Sequence, residues 1–137
     1  MRRHIILSGN MTGPIQLKFR YDDKYLTLLK SGKLTRSDIE TFIKEAQKSN
    51  KIVDLSGRDL SKLNLSKFNL GRANMSDTDL SNSDLSNATL FNANLSNSNL
   101  SNANLSYTDL SYSNLFKAKL LGAILFNTVL FKTILPK

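Results

Sequence analysis

The sequence predicts an all-β solenoid preceded by a small α+β segment, and three observations predict it. A leucine recurs every fifth residue, Leu55, Leu60, Leu65, Leu70, Met75 (the one exception) and Leu80 through Leu135, 17 repeats without an insertion. A second column two residues earlier holds only small side chains from Ala73 onward: Ala73, Thr78, Ser83, Ala88, Ala93, Ser98, Ala103, Thr108, Ser113, Ala118, Ala123, Thr128 and Thr133. Before residue 51 this texture is absent, so the chain divides into a 1–50 cap and a 51–137 array.

The cap starts with two strand candidates. Ile15, Leu17, Phe19 and Tyr21 alternate with Gln16, Lys18, Arg20 and Asp22, the period of a half-buried strand, and His4–Leu7 and Tyr25–Leu29 are shorter candidates. Ser8–Gly13 between the first two has glycines but no Gly-Lys-Ser/Thr, so it reads as a hairpin turn and not as a phosphate loop. Lys18 and Arg20 on the outward face, with Arg2, Arg3 and Lys24, form a candidate basic face for nucleic acid or an anionic membrane; a solvated face is the plainer reading.

A helix follows near 38–48. Ser37-Asp38-Ile39-Glu40 reads as a capping box, and Ile39, Phe42, Ile43 and Ala46 then recur at helical spacing. That apolar stripe lies just before the first coil, where an open β-solenoid would expose its leucines and unpaired strand edges, so the helix is expected to serve as a lid.

From Val53 the five-residue period excludes both regular structures. Five residues advance about 500° on an α-helix, so the leucines would spiral around its axis. In a flat strand an odd period sends alternate leucines to opposite faces. The pattern works if each pentad makes one side of a polygon, with the leucine and the small residue pointing into a coil and the intervening Asp/Asn and the following Ser pointing out. Arg58, Leu63 and Phe68 are too large for the small column, so the first coil is expected to be distorted, Leu63 and Phe68 meeting the N-terminal segment and Arg58 turning to solvent.

Runs such as Ala93-Asn94-Leu95 and Ala103-Asn104-Leu105 make residues 53–135 resemble the pentapeptide repeat family. The resemblance implies a right-handed quadrilateral β-helix of about four coils, four pentads to the coil. At the ~4.8 Å spacing of paired strands the stack is roughly 20 Å long.

Composition excludes most catalytic machinery. There is no cysteine and a single histidine, His4, which removes disulfides, thiolate zinc sites, cysteine nucleophiles and histidine-based triads. No cofactor or metal is expected. Met1-Arg2-Arg3-His4 is basic like the start of a signal peptide, but the apolar run behind it is only Ile5-Ile6-Leu7, so a soluble, cytoplasmic protein is expected, and the family resemblance implies a bacterial one.

The charge, 19 Lys+Arg against 11 Asp+Glu, is unevenly placed: +5 in residues 1–50 and +3 in 51–137. No Lys or Arg lies between Arg72 and Lys117, while Asp77, Asp79, Asp84 and Asp109 do, giving a weakly acidic Asn/Ser band between basic ends. Single aspartates on solvated corners do not make a paired-carboxylate site. The Asn-x-Ser/Thr triplets at Asn64, Asn74, Asn87, Asn94, Asn99, Asn104 and Asn10 are a by-product of the repeat.

The outward positions of the last coil change character. Phe116, Leu121, Ile124, Phe126, Val129, Phe131 and Ile134 replace Ser, Asn and Asp there, followed by Leu135, Pro136 and Lys137. This apolar patch is a candidate dimer surface; docking on a membrane, with Lys117, Lys119, Lys132 and Lys137 on lipid phosphates, is the competing reading. The family resemblance points to dimerisation, since several members dimerise at this end. Phe91, Tyr107 and Tyr112 are candidate partner-contact aromatics, or a simple stacking ladder.

The expected function is a non-enzymatic protein-interaction scaffold, a rigid rod that binds an unidentified protein partner as a homodimer. The resemblance supplies two alternatives, a DNA gyrase-binding protector of the quinolone-resistance type and a secreted or membrane-associated bacterial effector. A mimic of duplex DNA needs one negative charge per ~1.7 Å of axis, on the order of ten over ~20 Å. Residues 51–137 carry six acids against nine bases.

Overall fold

The computed structural model describes residues 5–8, 16–19 and 33–137. Two compact units are distinguished, Met1–Gly32 and Lys33–Lys137. In the first, strands β1 (Ile5–Ser8) and β2 (Gln16–Phe19) pair antiparallel, Ile5 opposite Phe19 and Ser8 opposite Gln16. β2 falls within the stretch Ile15–Tyr21 and β1 overlaps His4–Leu7, ending one residue past it; Tyr25–Leu29 and residues 9–13 lie outside the described residues.

Helix α1 (Arg36–Lys48) groups with the repeats, so the second unit begins ahead of the repeat texture itself. Its start differs from the expected box at Ser37–Glu40. The N-cap is Thr35, in extended backbone, and Asp38 is its reciprocal partner: Thr35 N–H donates to the Asp38 carboxylate at 2.8 Å, and Asp38 N–H donates to Thr35 Oγ1 at 3.4 Å. Both pairs have the required spacing in sequence, and Thr35-x-x-Asp38 wins because Ser37 is already inside the first turn, its carbonyl accepting from Thr41 Oγ1 at 3.0 Å. The helix stops where Asn50 turns left-handed (φ 49°). Lys51 N–H then reaches Ala46 O at 2.9 Å and Asn50 N–H reaches Gln47 O at 3.3 Å, closing a Schellman motif.

From Asp54 the chain climbs as a four-sided coil. Thirteen parallel bridges join residues 20 apart, from Asp54 with Asn74 to Asn114 with Ile134. Each rung is a pair of backbone bonds, as where Leu55 N–H donates to Asn74 O (2.8 Å) and Asn74 N–H to Val53 O (2.9 Å). The inward column from Leu55 to Leu115 is buried throughout, and so is the small column from Ala73 to Ala118. Burial of each leucine contributes about 1.5–3 kcal/mol, so the axis is the main source of stability.

Hydroxyls in the small column need partners because they are inside. Thr78 and Thr108 donate to the carbonyls of Leu55 (3.1 Å) and Leu85 (2.7 Å) in the coil below, and Ser83 and Ser113 to those of Leu80 and Leu110 (2.7 Å each). Among the described residues only Ser98 Oγ is buried with no partner.

The corners explain the rest of the repeat. The Asp/Asn before each leucine accepts, through Oδ1, the N–H two residues on: Asp59 from Ser61 at 2.9 Å, Asn94 from Ser96 at 3.1 Å, Asp109 from Ser111 at 2.9 Å. The residue two after each leucine turns left-handed, φ 55–58° at Asn82, Asn87, Asn92, Asn97 and Asn102, a conformation that Asn tolerates better than other side chains. At the equivalent Gly122 (φ 73°) an added Cβ would also run into the Asn102 side-chain oxygen.

The first coil keeps the ladder of the others in place of the distortion expected from its bulky column: Asp54, Asp59, Asn64 and Asn69 bridge to residues 20 further on as elsewhere. Lys33 bridges to Asp59, and Arg36 donates to Asn64 O (2.8 Å), Asn64 Oδ1 (2.9 Å) and Ser66 O (3.1 Å). The Arg36 guanidinium lies 4.1 Å from the Phe68 ring centre, so Phe68 is buried against the N-terminal segment as its size required. Leu63 is half-buried; Arg58, expected to turn to solvent, is also half-buried, and its charge helps hold the Asp54 carboxyl down.

Candidate interaction surface

The last coil is built differently from those beneath it. Where Asn or Asp precedes the leucine in lower coils, Lys119, Ile124, Val129 and Ile134 stand here, stacked on Asn99, Asn104, Asp109 and Asn114. None of these four offers an oxygen to the corner N–H, so the side-chain ladder ends where Asn114 Oδ1 accepts from Phe116 N–H at 3.0 Å. Ten large apolar side chains are 40–84% exposed: the seven read from the sequence, Phe116, Leu121, Ile124, Phe126, Val129, Phe131 and Ile134, and the inward leucines Leu125, Leu130 and Leu135. The sequence reading missed those three, because a position that faces inward is buried only if another coil lies above it.

That open end is also an unpaired sheet edge. In each lower coil the leucine N–H and the N–H two residues later donate to the coil above, as Leu105 does to Ile124 O and Tyr107 to Phe126 O (both 2.8 Å). Among the described residues, the amides of Leu125, Asn127, Leu130 and Lys132 have no such acceptor. Apolar side chains and unsatisfied backbone donors therefore share one face.

Two corners carry aromatic rings down from this face. Tyr107 meets Phe126 edge-on with centroids 5.4 Å apart, and Tyr112 meets both Phe131 (5.5 Å) above it and Phe91 (5.4 Å) below it. Tyr107 and Tyr112 occupy left-handed corner positions (φ 58° and 60°) that hold Asn at the five preceding corners, Asn82 to Asn102. A bulky residue costs roughly 1–2 kcal/mol there, and an edge-to-face pair returns about 0.5–1.5 kcal/mol. The rings thus tie the terminal coil to its neighbour while Tyr107 and Tyr112 stay 54% and 43% exposed. Phe116 and Leu121 sit on the other two corners, outside this ladder.

Lysines rim the same end. Lys132 Nζ lies 5.4 Å from the Phe131 ring centre and 5.6 Å from that of Tyr112, and Lys117 Nζ lies 5.3 Å from that of Phe116. At the opposite end Asp54 and Asp59 are held below the usual carboxylate range, first by the hydroxyls and N–H groups of Ser56 and Ser61 and then by Arg58, Lys33 and Lys62. Both carboxylates are spread along the solvated wall of the coil.

Of the candidate basic face, Arg2, Arg3, Arg20 and Lys24 lie outside the described residues, and Lys18 is described only as part of β2. Among the described residues no group of His, Asp and Glu is placed to hold a metal ion, and no helix is long and apolar enough to cross a membrane.

The family model for pentapeptide repeats matches residues 54–92, 83–122 and 93–130, with eight copies. A pentapeptide repeat protein of Nostoc Pcc 7120 is 28% identical, covers 72% of this chain and 85% of its own, and superposes with a TM-score of 0.62. A second from the cyanobacterium Cyanothece 51142 is 37% identical over 62% of this chain and 60% of its own, with a TM-score of 0.41. A plasmid-mediated fluoroquinolone resistance protein, QnrB1, is 20% identical over 58% and 61%, with a TM-score of 0.31. No curated protein matches the chain. With the 20-residue coil, the buried leucine axis and the Asx corners in place, the family-model match and the Nostoc structure give the coil its right-handed quadrilateral form, and the chain belongs to the pentapeptide repeat family.

Proposed function

We propose that this chain is a non-enzymatic protein-interaction scaffold that self-associates, two copies meeting through the open terminal coil. The single observation behind this is that the coil is apolar on its outward positions and uncovered on its inward ones. Its ten exposed apolar side chains form a patch of several hundred Å², on the order of what each partner brings to a stable interface (~800 Å²).

A second copy suits this face better than lipid does. A two-fold axis across the solenoid end lays the two terminal coils antiparallel, so the amides at Leu125 and Leu130 face a backbone edge of their own kind. Hydrocarbon would leave those amides unsatisfied. The opposite end is the closed one, with Lys33 and helix α1 as the lid, so association through one end closes at a dimer.

The topoisomerase-protector reading is weaker on charge. The band between Arg72 and Lys117 holds four aspartates, well short of a duplex mimic, and its ends are basic. The effector reading rests on the family alone. For both, the lateral Asn/Ser walls and the Tyr107 and Tyr112 corners remain the surface offered to a protein partner.

Light scattering on wild type and on Phe126→Asp/Phe131→Asp tests the proposal. The expected result is a wild-type dimer and a folded monomeric variant. A monodisperse wild-type monomer at all concentrations and salt conditions overturns it.

A further inference from the structure

The charged side chains of the terminal coil are all of one sign. Lys117, Lys119, Lys132 and Lys137 lie beyond Asp109, and no aspartate or glutamate follows that residue. Among the described residues none of the four lysines is in an ion pair: Lys117 and Lys132 rest against aromatic rings at the rim, and Lys119 is exposed on the side wall. Asp109, the nearest acid in sequence, is one coil down beneath Val129, with its oxygen taken by Ser111 N–H.

On the homodimer reading these charges have a consequence for assembly. Stacking two terminal coils places eight ammonium groups around one seam. Paired strands lie ~4.8 Å apart, so pairing two terminal coils brings both sets of lysines to one seam, where charges within about 8 Å of one another are incompletely screened at physiological ionic strength. The apolar end attracts its copy, and the lysine rim repels it.

We infer that self-association is gated by anions: the rim holds two copies apart at low ionic strength, and salt or a polyvalent anion seated among the lysines lets the apolar coils close. The occupant of the face is a second copy, and the anion acts between the two rims. No aspartate or glutamate side chain of either rim is placed to do the neutralising from within, so the neutralising charge comes from solution.

The test is sedimentation equilibrium at about 20 mM and about 500 mM NaCl, where the Debye length falls from roughly 20 Å to roughly 4 Å. The wild type should dimerise at least tenfold more tightly at high salt, and a variant with all four lysines changed to glutamine should dimerise well at both, shifting less than about threefold. The variant also corrects for any salting-out of the apolar coil. Inorganic tripolyphosphate at constant ionic strength should dimerise the wild type and leave the variant unchanged. A wild-type dimer as tight at low salt as at high salt overturns the gating and leaves the homodimer standing. Absence of dimer from both proteins in every condition overturns the homodimer itself. Flotation of monomeric wild type with phosphatidylserine vesicles, without dimer, assigns the face to lipid and overturns the inference.

Discussion

Leu55 and Leu135 occupy the same inward position on the same side of the solenoid, four coils apart, yet Leu55 is fully buried and Leu135 is 53% exposed. The side chain and its place in the repeat are identical. The difference is what lies beyond each: Lys33 bridges to the first coil and Arg36 is bonded to it, while no described residue covers the last. The two ends of one regular structure thus have opposite properties, and the functional proposals follow from the open one.

Leu85→Asp should unfold the repeat array. Leu85 is 0% exposed in a column with no polar partner, so the variant buries a carboxylate and loses a leucine from the axis, a loss of more than about 3 kcal/mol. Asn87→Asp, two residues away on an exposed left-handed corner (φ 58°), should change stability by no more than about 0.5 kcal/mol, since Asp also tolerates that backbone. Thermal unfolding of the two variants checks this; equal effects would sink the assigned register.

Ser98→Ala should stabilise the protein. Its hydroxyl is buried and unpartnered, whereas the equivalent Ser83 and Ser113 each reach a carbonyl, and Ala73, Ala88, Ala93 and Ala103 show that the column accepts alanine. Removing an unsatisfied buried hydroxyl is worth about 1 kcal/mol, against a loss of similar size for Ser83→Ala. Denaturant midpoints of the two variants should move in opposite directions.

Stability should fall in acid through the first coil. Asp54 and Asp59 have lowered folded-state pKa values, from their Ser56 and Ser61 bonds above all, so their contribution is fully present above the unfolded carboxylate value of about 3.9 and is lost as pH drops through the folded values. Melting temperature should be little affected by these two groups between pH 8 and pH 5 and should decline below about pH 4. Asp54→Asn/Asp59→Asn keeps the Oδ1 acceptor that Asn64 already uses and should flatten that decline. An unchanged acid slope in the double variant would place the pH dependence elsewhere.

Much of this architecture was legible in the sequence because a repeat states its own geometry. An uninterrupted five-residue period admits neither helix nor flat strand, the small column marks where backbone turns inside, and Asn and Asp mark the corners they bond. Helix α1 was legible for the same reason, through the spacing of Ile39, Phe42, Ile43 and Ala46. Its cap was misplaced by two residues because two polar pairs with equal spacing compete there, and only the extended backbone at Thr35 decides between them.

The sequence by itself determined the fold, the register of every pentad and the seven apolar outward residues of the last coil, since each depends on local period and side-chain type. The tertiary structure decided what each end of the stack meets. It buried Phe68 beneath Arg36, exposed Leu125, Leu130 and Leu135, brought Phe91, Tyr112 and Phe131 into one ladder, and set Lys132 against two of its rings. Apart from that of Lys132 with its neighbour Phe131, these contacts join residues about 20 or more apart, and they follow from how the coils stack, which the pattern within any one pentad does not encode.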